Sequence, residues 1–328
     1  MFHPLSEVRL KGGAAVECGI VQPPAEAWAD RVEEMLQHKG DPWNWQNSEV
    51  LRREVGLGVR FFVLHRARAP FANIMLVESA GVGIIGHVWT DPADRGVGAS
   101  SLLLERLLDD FAGRGGQALF LGTDFDSAPW HYYRRRGFEP VEEGSGCMAR
   151  YFRPQSAWEQ AWFDPMEATV QPLTWRHWPA AAPLFLGDFP GTVRLAATRL
   201  FGRGLPEGPL LPLLRTQAAG GRTASVLCAQ GRSAVLGLAS IQLHPLWPDT
   251  AILDLFCHPR AWPRAGELLA ALEPLPAGRV VSYADATLAP KREALLAARF
   301  RELARLPRWV SADARKKTWV DVTLYARN

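Results

Sequence analysis

The sequence predicts a mixed α/β protein made of two copies of one fold in tandem, each a central, mostly antiparallel sheet flanked by helices. Three observations carry this reading. At 328 residues the chain is too long for one ordinary core and suits two domains of roughly 150 residues each. Its first half reads as strand, helices, three strands, helix, strand, helix, strand. The pattern then loosens at "PQSAWEQAWFDP", and the same order begins again near Glu167, which sets the expected domains at residues 1–165 and 166–328.

In the first copy "AAVECGIV" is a short apolar strand, and "PPAEAWADRVEEMLQ" follows with prolines at its start and helical spacing of apolar residues. "DPWNWQNSEVLRREVG" reads as a loop and a second short helix. "RFFVLHR", "NIMLVES" and "GIIGHVWT" are three strands rich in β-branched and aromatic residues. A helix over 98–111 places Leu103, Leu104, Leu107, Leu108 and Phe111 on one broad face and is ended by "GRGG". "ALFLGT" is a buried strand, "SAPWHYYRRRGF" a short helix closed by Gly137, and "CMARYF" a last strand. The second copy repeats the series as "EATVQPL", "WPAAAPLFLGDF", "ASVLCAQ", "AVLGLASIQL", "TAILDLFCHP", "AGELLAALEPL", "GRVVSYAD", "KREALLAARF" and "TWVDVTLYA".

Lys and Arg number 37 against 34 Asp and Glu, so the balance of +3 gives no general argument for nucleic acid or an anionic membrane, and neither is an expected partner. Any anion site must be local. The four cysteines are scattered without a C-x-x-C pair, nothing resembles a signal peptide, and no run of about 18 apolar residues occurs. A cytoplasmic protein is expected, with no metal, acting as a monomer whose two copies form a pseudo-dimer.

The stretch "DPADRGVGASSLLLERL" holds the chemistry. Gly96, Val97, Gly98, Ala99, Ser100 and Ser101 bring successive backbone N–H groups, bare of bulky side chains, to a helix start that has unpaired donors and a favourable dipole. Such a turn cradles an anion, and glycine allows the close approach a diphosphate needs. Arg95 adds a cation at the rim. No lysine follows as a P-loop requires, and the turn follows strands that read as antiparallel rather than opening a βαβ unit.

"VWTDPADRGVGASSLLLERLLDDF" resembles motif A of the GNAT superfamily of acyl-CoA-dependent N-acyltransferases. That motif runs Gln or Arg, two residues, Gly, one residue, then Gly or Ala; Arg95, Gly98 and Ser100 stand at its three places, Ser100 being a departure that keeps the residue small. "DSAPWHYYRRRGF" resembles motif B through Tyr133, four residues before Gly137 and Phe138. The resemblance implies that the turn holds the diphosphate of acetyl-CoA and that the strand end at Val88, Trp89 and Thr90 pairs with the pantetheine arm. An N–H near Trp89 or Thr90 would polarise the thioester carbonyl. It further implies Tyr133 as the acid for the CoA sulfur and an acceptor wall near Trp43 and Trp45, whose rings suit a small-molecule or peptide amine.

An alkylamine with a pKa of about 10.4 is neutral in roughly one part in a few thousand at pH 7, so proton removal is a real barrier. Glu78 and His87 are the expected bases, with Asp124 and Asp126 behind them. Arg134, Arg135 and Arg136 read as a solvated face or a contact to the 3′-phosphate of CoA.

Aligning the two copies on Pro92 and Pro259 puts Trp262 at Arg95, Pro263 at Gly96, Ala265 at Gly98 and Glu267 at Ser100. Pro263 deletes a donor, Trp262 a cation, and Glu267 brings a carboxylate to the helix start. Arg299 replaces the glycine before Phe300, and no tyrosine precedes it by four. The second copy is therefore expected to keep the fold without binding acetyl-CoA. The function expected is N-acetyl transfer in a ternary complex by direct attack, the alternative being a non-catalytic acyl-CoA-binding or scaffold protein.

Overall fold

The computed structural model describes residues 1–229, 233–276 and 278–327. The first sheet has eight strands in the order β1-β2-β3-β4-β5-β6-β8-β7: β1 Phe2–Arg9, β2 Ala15–Val21, β3 Gly58–Arg66, β4 Ala69–Ser79, β5 Val82–Thr90, β6 Ala118–Gly122, β7 Glu139–Pro140 and β8 Cys147–Tyr151. Neighbours from β1 to β5 are antiparallel and β5–β6 is parallel. Helices α1 Glu26–Leu36 and α2 Trp43–Arg52 lie between β2 and β3, α3 Ala99–Gly113 between β5 and β6, and α4 Ala128–Arg134 after β6; α5 Gln155–Trp162 follows β8.

The second sheet has seven strands ordered β16-β17-β15-β14-β13-β12-β9. Its members are β9 Ala168–Pro172, β12 Ala224–Ala229, β13 Ala234–Leu243, β14 Thr250–Cys257, β15 Arg279–Asp285, β16 Arg301–Ser311 and β17 Trp319–Arg327. All its pairs are antiparallel except one, β14–β15. This parallel pair stands where β5–β6 stands in the first sheet, so the duplication read from the sequence is present in the strand order. The other elements here are α6 His177–Ala180, α7 Ala182–Leu186, the hairpin β10 Val193–Leu195 with β11 Leu200–Phe201, α8 Glu207–Ala218, α9 Ala265–Ala270 and α10 Ala289–Ala297.

Two expectations change. "WPAAAPLFLGDF" forms two short helices, α6 and α7, rather than one. Strands β1, β7, β10, β11 and β16 and helices α5 and α8 had no counterpart in the reading of the sequence. The last residue of "ASVLCAQ", Gln230, lies outside the described residues. By compactness the chain divides into Met1–Leu121 and Gly122–Asn328, while the sheets change between Tyr151 and Ala168.

The first sheet is held by α3. Its Ala99, Leu103, Leu104, Leu107 and Phe111 are buried on β3, β4 and β5, where Phe61, Phe62, Leu64, Ile74, Leu76 and Ile84 are buried too. Each such leucine contributes about 2–5 kcal/mol by the cost of truncating it to alanine, so the helix is fixed along its length and its first turn is fixed with it. After β6 the chain is pinned by Thr123 N–H donating to Gly146 O at 2.9 Å. A Cβ on Gly146 would lie 1.8 Å from Thr123 O, a backbone atom that cannot rotate away. Gly146→Ala is therefore expected to lower the unfolding free energy by about 2 kcal/mol or more, read as a lower denaturant midpoint with an unchanged m-value.

Candidate functional site

Strand β5 is paired with β4 up to Thr90, opposite Ala72. On its other edge the parallel ladder with β6 holds only Val82, Ile84 and Gly83 against Ala118, Phe120 and Leu119. From Ile85 to Thr90 that edge has left β6, which exposes roughly 20 Å of strand backbone. An extended ligand arm can pair there as an added strand does.

A bulge sits within this stretch. Asn73 faces Trp89 and Met75 faces Gly86, so β5 carries one residue more than β4 between these pairs. His87 takes a left-handed backbone, φ 49°, and its carbonyl accepts from Asn73 Nδ2 at 2.9 Å.

At the strand's end, Asp91 accepts Ala93 N–H at 2.9 Å and starts a tight turn that carries the chain to α3. Gly96 and Gly98 adopt φ of 80° and 87°, which side chains resist. The first amide bonded into α3 is Leu102 N–H, to Gly98 O at 3.1 Å. Those of Ala99, Ser100 and Ser101 have no place in the helical ladder, and Gly98 supplies no side-chain cap. A Cβ on Gly96 would meet nothing within 4 Å, so the cradle is open to a ligand. Arg95 Nε donates to Thr90 O at 3.2 Å, and Thr90 Oγ1 is 3.0 Å from Ser100 Oγ. These two bonds join the open strand edge to the helix start, and the second engages the Ser100 hydroxyl.

One cation of this turn was not legible in the sequence. Lys11, in the β1–β2 hairpin, donates its N–H to Val97 O at 3.0 Å, and its Cγ and Cε lie 3.6 Å from where a Cβ of Gly98 would be. Its stem rests on the turn and its ammonium is exposed. Only the tertiary fold brings residue 11 to residue 98.

Within the first compact unit the expected residues fall at different places along β4, β5 and α2. His87 is buried; its Nε2 donates to Gln46 Oε1 at 2.7 Å, and Trp43 meets its ring edge-on at 5.5 Å. Burial, with the charge of Lys39, lowers its pKa to about 3, so it is neutral near pH 7 and a weak base. Trp43 therefore reaches the bulge, and Trp45, two residues on, lies about 200° around the helix from it. Glu78 pairs with Gly83, about 23 Å down β5 from Thr90, and is held by Arg60 at 2.9 Å and by Arg114; it is not beside the turn. His38, in the 3-10 turn after α1, was not singled out. It is exposed, its Nδ1 donates to Met35 O at 3.2 Å, and its ring lies 5.6 Å from Trp89. Its Nε2 then keeps a lone pair.

In the second compact unit, Tyr133 is buried on α4 with Phe138 at 5.8 Å, and burial raises its pKa well above that of a free phenol. Asp126 pairs with His131 at 2.9 Å, and Asp124 O accepts the Ser127 hydroxyl. Arg134 lies 3.4 Å from Glu139, and Arg136 lies over the Tyr132 ring.

The second sheet has a corresponding divergence, since β14 and β15 pair only over Thr250–Ile252 and Arg279–Val281. Here the chain's own β10 fills it. Buried Asp254, at the place of His87 in the alignment, accepts Ala196 and Ala197 N–H at 2.7 and 3.0 Å. Asp285 accepts Thr192 and Val193 N–H at 2.7 and 2.8 Å, and buried Lys291 donates to Val193 O at 3.0 Å. At the turn, His258 caps Arg260 N–H as Asp91 caps Ala93, but Glu267 is paired with Arg264 at 2.6 Å and Trp262 is buried. A cavity of about 940 Å³ lies between this turn with α9 and α10, lined by Pro263, Gly266, Ala294 and Arg299 among others.

No family model matches the chain, and no curated protein matches it in sequence. Among solved structures it is similar to an N-acetyltransferase from Staphylococcus aureus Mu50, at 15% identity, covering 49% of this chain and 98% of that one with a TM-score of 0.40. It is also similar to a GNAT superfamily phosphinothricin acetyltransferase from Sinorhizobium meliloti in complex with AcCoA, at 14% identity, 49% and 88% coverage and a TM-score of 0.38. A ribosomal-protein-alanine N-acetyltransferase from Brucella melitensis aligns at 16% identity, 48% and 98% coverage and a TM-score of 0.38.

The buried neutral His87 has a measurable consequence. Its folded pKa lies below its unfolded value, so its contribution is full above about pH 6.5 and is lost as pH falls toward 3. Between pH 6 and 5 it should steepen the loss of stability by about 1.4 kcal/mol per pH unit. Replacing it by asparagine, which tolerates left-handed backbone, is expected to flatten the pH profile of unfolding by that amount; an unchanged profile would contradict the burial described.

Proposed function

We propose that the chain is a GNAT-type N-acetyltransferase that moves an acetyl group from acetyl-CoA to an amine of a small molecule or peptide by direct attack in a ternary complex. The work is assigned to residues 1–165, and residues 166–328 keep the fold without taking acetyl-CoA. The observation that carries this is the continuity of the open edge of β5 with an uncapped helix start. Backbone groups at Val88, Trp89 and Thr90 suit a pantetheine arm, and the amides from Gly96 to Ser101, with Arg95 and Lys11, suit its diphosphate.

The amine nitrogen attacks the thioester carbon, whose oxygen takes up charge beside the N–H of Trp89 or Thr90. The C–S bond then breaks. The amine proton goes to His38 Nε2, which faces solvent and can pass it on. Tyr133 is assigned to the leaving sulfur, as its motif implies, but as a hydrogen-bond donor and not as the acid. Burial opposes the phenolate, so the role assigned is a hydrogen bond to the thiolate, with protonation completed from solvent. Trp43 is retained as an acceptor wall.

For the second copy, the support is that its own β10 occupies the divergence between β14 and β15 and that Asp254 and Asp285 are already engaged with β10 amides.

Calorimetry with CoA and release of CoA from acetyl-CoA over an amine panel test the reading. Wild-type chain is expected to bind and turn over. Gly98→Val forces a β-branched residue into left-handed backbone and should abolish binding, while Lys11→Ala should weaken it by about tenfold. His38→Gln is expected to lower kcat by about 10²-fold or more with little change in the affinity for CoA. Binding without turnover against any amine, unchanged in Tyr133→Phe, would instead favour a non-catalytic acyl-CoA-binding protein. Binding that survives Gly98→Val would overturn the site.

A further inference from the structure

We infer that the groove between α1 and α2 is a binding site for an organic ammonium group that carries a neighbouring carbonyl, such as the amino end of a peptide or an amino-acid amide. This does not rest on the acyl-transfer reading. Residues 30, 33, 34 and 37 recur at helical spacing along α1 and give the groove Asp30, Glu33, Glu34 and Gln37. From α2 come Asn44, Asn47 and Ser48, and the residues together line an open cleft of about 330 Å³. The same helix turns Trp43 and Gln46 toward His87, so the groove draws on a different set of α2 side chains from those at the bulge.

The groove carries excess negative charge. Arg52 bonds Asp30 at 2.6 Å and Glu33 at 2.8 and 3.1 Å, so one guanidinium stands against two carboxylates, and a third, Glu34, is exposed beside them. Among the described residues no group of three or more His, Cys, Asp or Glu is placed to hold a metal ion; the charge suits a cation, and the amide beside it sets which kind.

Asn47 indicates the ligand's hydrogen bonds. It is 1% exposed, yet neither Nδ2 nor Oδ1 has a hydrogen-bond partner. A buried amide left without both a donor and an acceptor partner is destabilising and calls for an explanation. An ammonium satisfies Oδ1 and the carboxylates together, and an adjacent carbonyl satisfies Nδ2. Neither an alkylammonium nor a neutral amide meets all three demands.

The test uses glycinamide as the probe, added without acetyl-CoA to the full chain labelled with ¹⁵N, with acetamide as the uncharged control. Glycinamide is expected to give saturable shifts confined to α1 and α2, and acetamide to bind at least about tenfold more weakly. Asn47→Leu, close to isosteric, should cost about tenfold or more in glycinamide affinity while leaving the thermal midpoint of the free protein unchanged or higher, because it removes both unpaired groups. Glu34→Gln, on the exposed rim, should weaken binding severalfold without touching the fold, which keeps the test decisive should the Asn47 variant not fold. Equal affinity for acetamide, full affinity in Asn47→Leu, or a lowered midpoint in that variant would overturn the proposal. Loss of CoA binding or turnover would leave it standing, and its own failure would leave the acyl-transfer reading standing.

Discussion

Three residues of parallel pairing, Val82 to Ile84 against Ala118 to Phe120, decide what this protein can do. Because the two strands part after Ile84, β5 enters its last six residues with one edge free, and backbone donors and acceptors normally consumed by a sheet become available. A free edge costs stability unless something covers it. The bulge at His87 increases local twist, and Asn73 and Gln46 hold it in place from two directions. The turn that follows then places a second set of unused amides at the end of the same track. The leucine face of α3 keeps that turn in register with the sheet, so flexible glycine backbone and a rigid helix serve one purpose.

The second sheet shows the other way to treat the same divergence. There β10 takes the free space, and its amides are met by carboxylates rather than by a neighbouring strand. Asp254 and Lys291 are fully buried, and burial pushes the carboxyl pKa up and the ammonium pKa down, each toward its neutral form. Such groups are tolerable only because backbone partners meet them. Arg194, also buried, spends its guanidinium on the carbonyls of Leu184, Phe185, Gly187, Phe189 and Gly191. The result is a slot closed from within by the chain's own polar contacts.

Local chemistry was legible in the sequence and tertiary proximity was not. The turn at Gly96 to Ser101, the leucines of α3 and the repeat of strand order are written in neighbouring residues and came through. Strands β1 and β16 escaped notice because both are exposed edge strands: β1 buries only Val8, and β16 buries none of its residues, so neither carries apolar alternation. Helix α8 was hidden by Pro212 inside it. Glu78 was read onto the right strand, but register decides which end of that strand it occupies, and the pairing with Gly83 sets it far from the turn. Trp43 and Trp45 looked alike in sequence, yet helical geometry sends them to different sides. Lys11 and His38 carry no motif, and only the fold shows what they approach.

A structure of the full chain with CoA bound tests the central claim most directly. The account predicts diphosphate oxygens within about 3 Å of the amide nitrogens from Gly96 to Ser101, and a pantetheine arm alongside Val88 to Thr90. CoA seated instead in the cavity beside Pro263 and Arg299, or a diphosphate that avoids the glycine turn altogether, would contradict it.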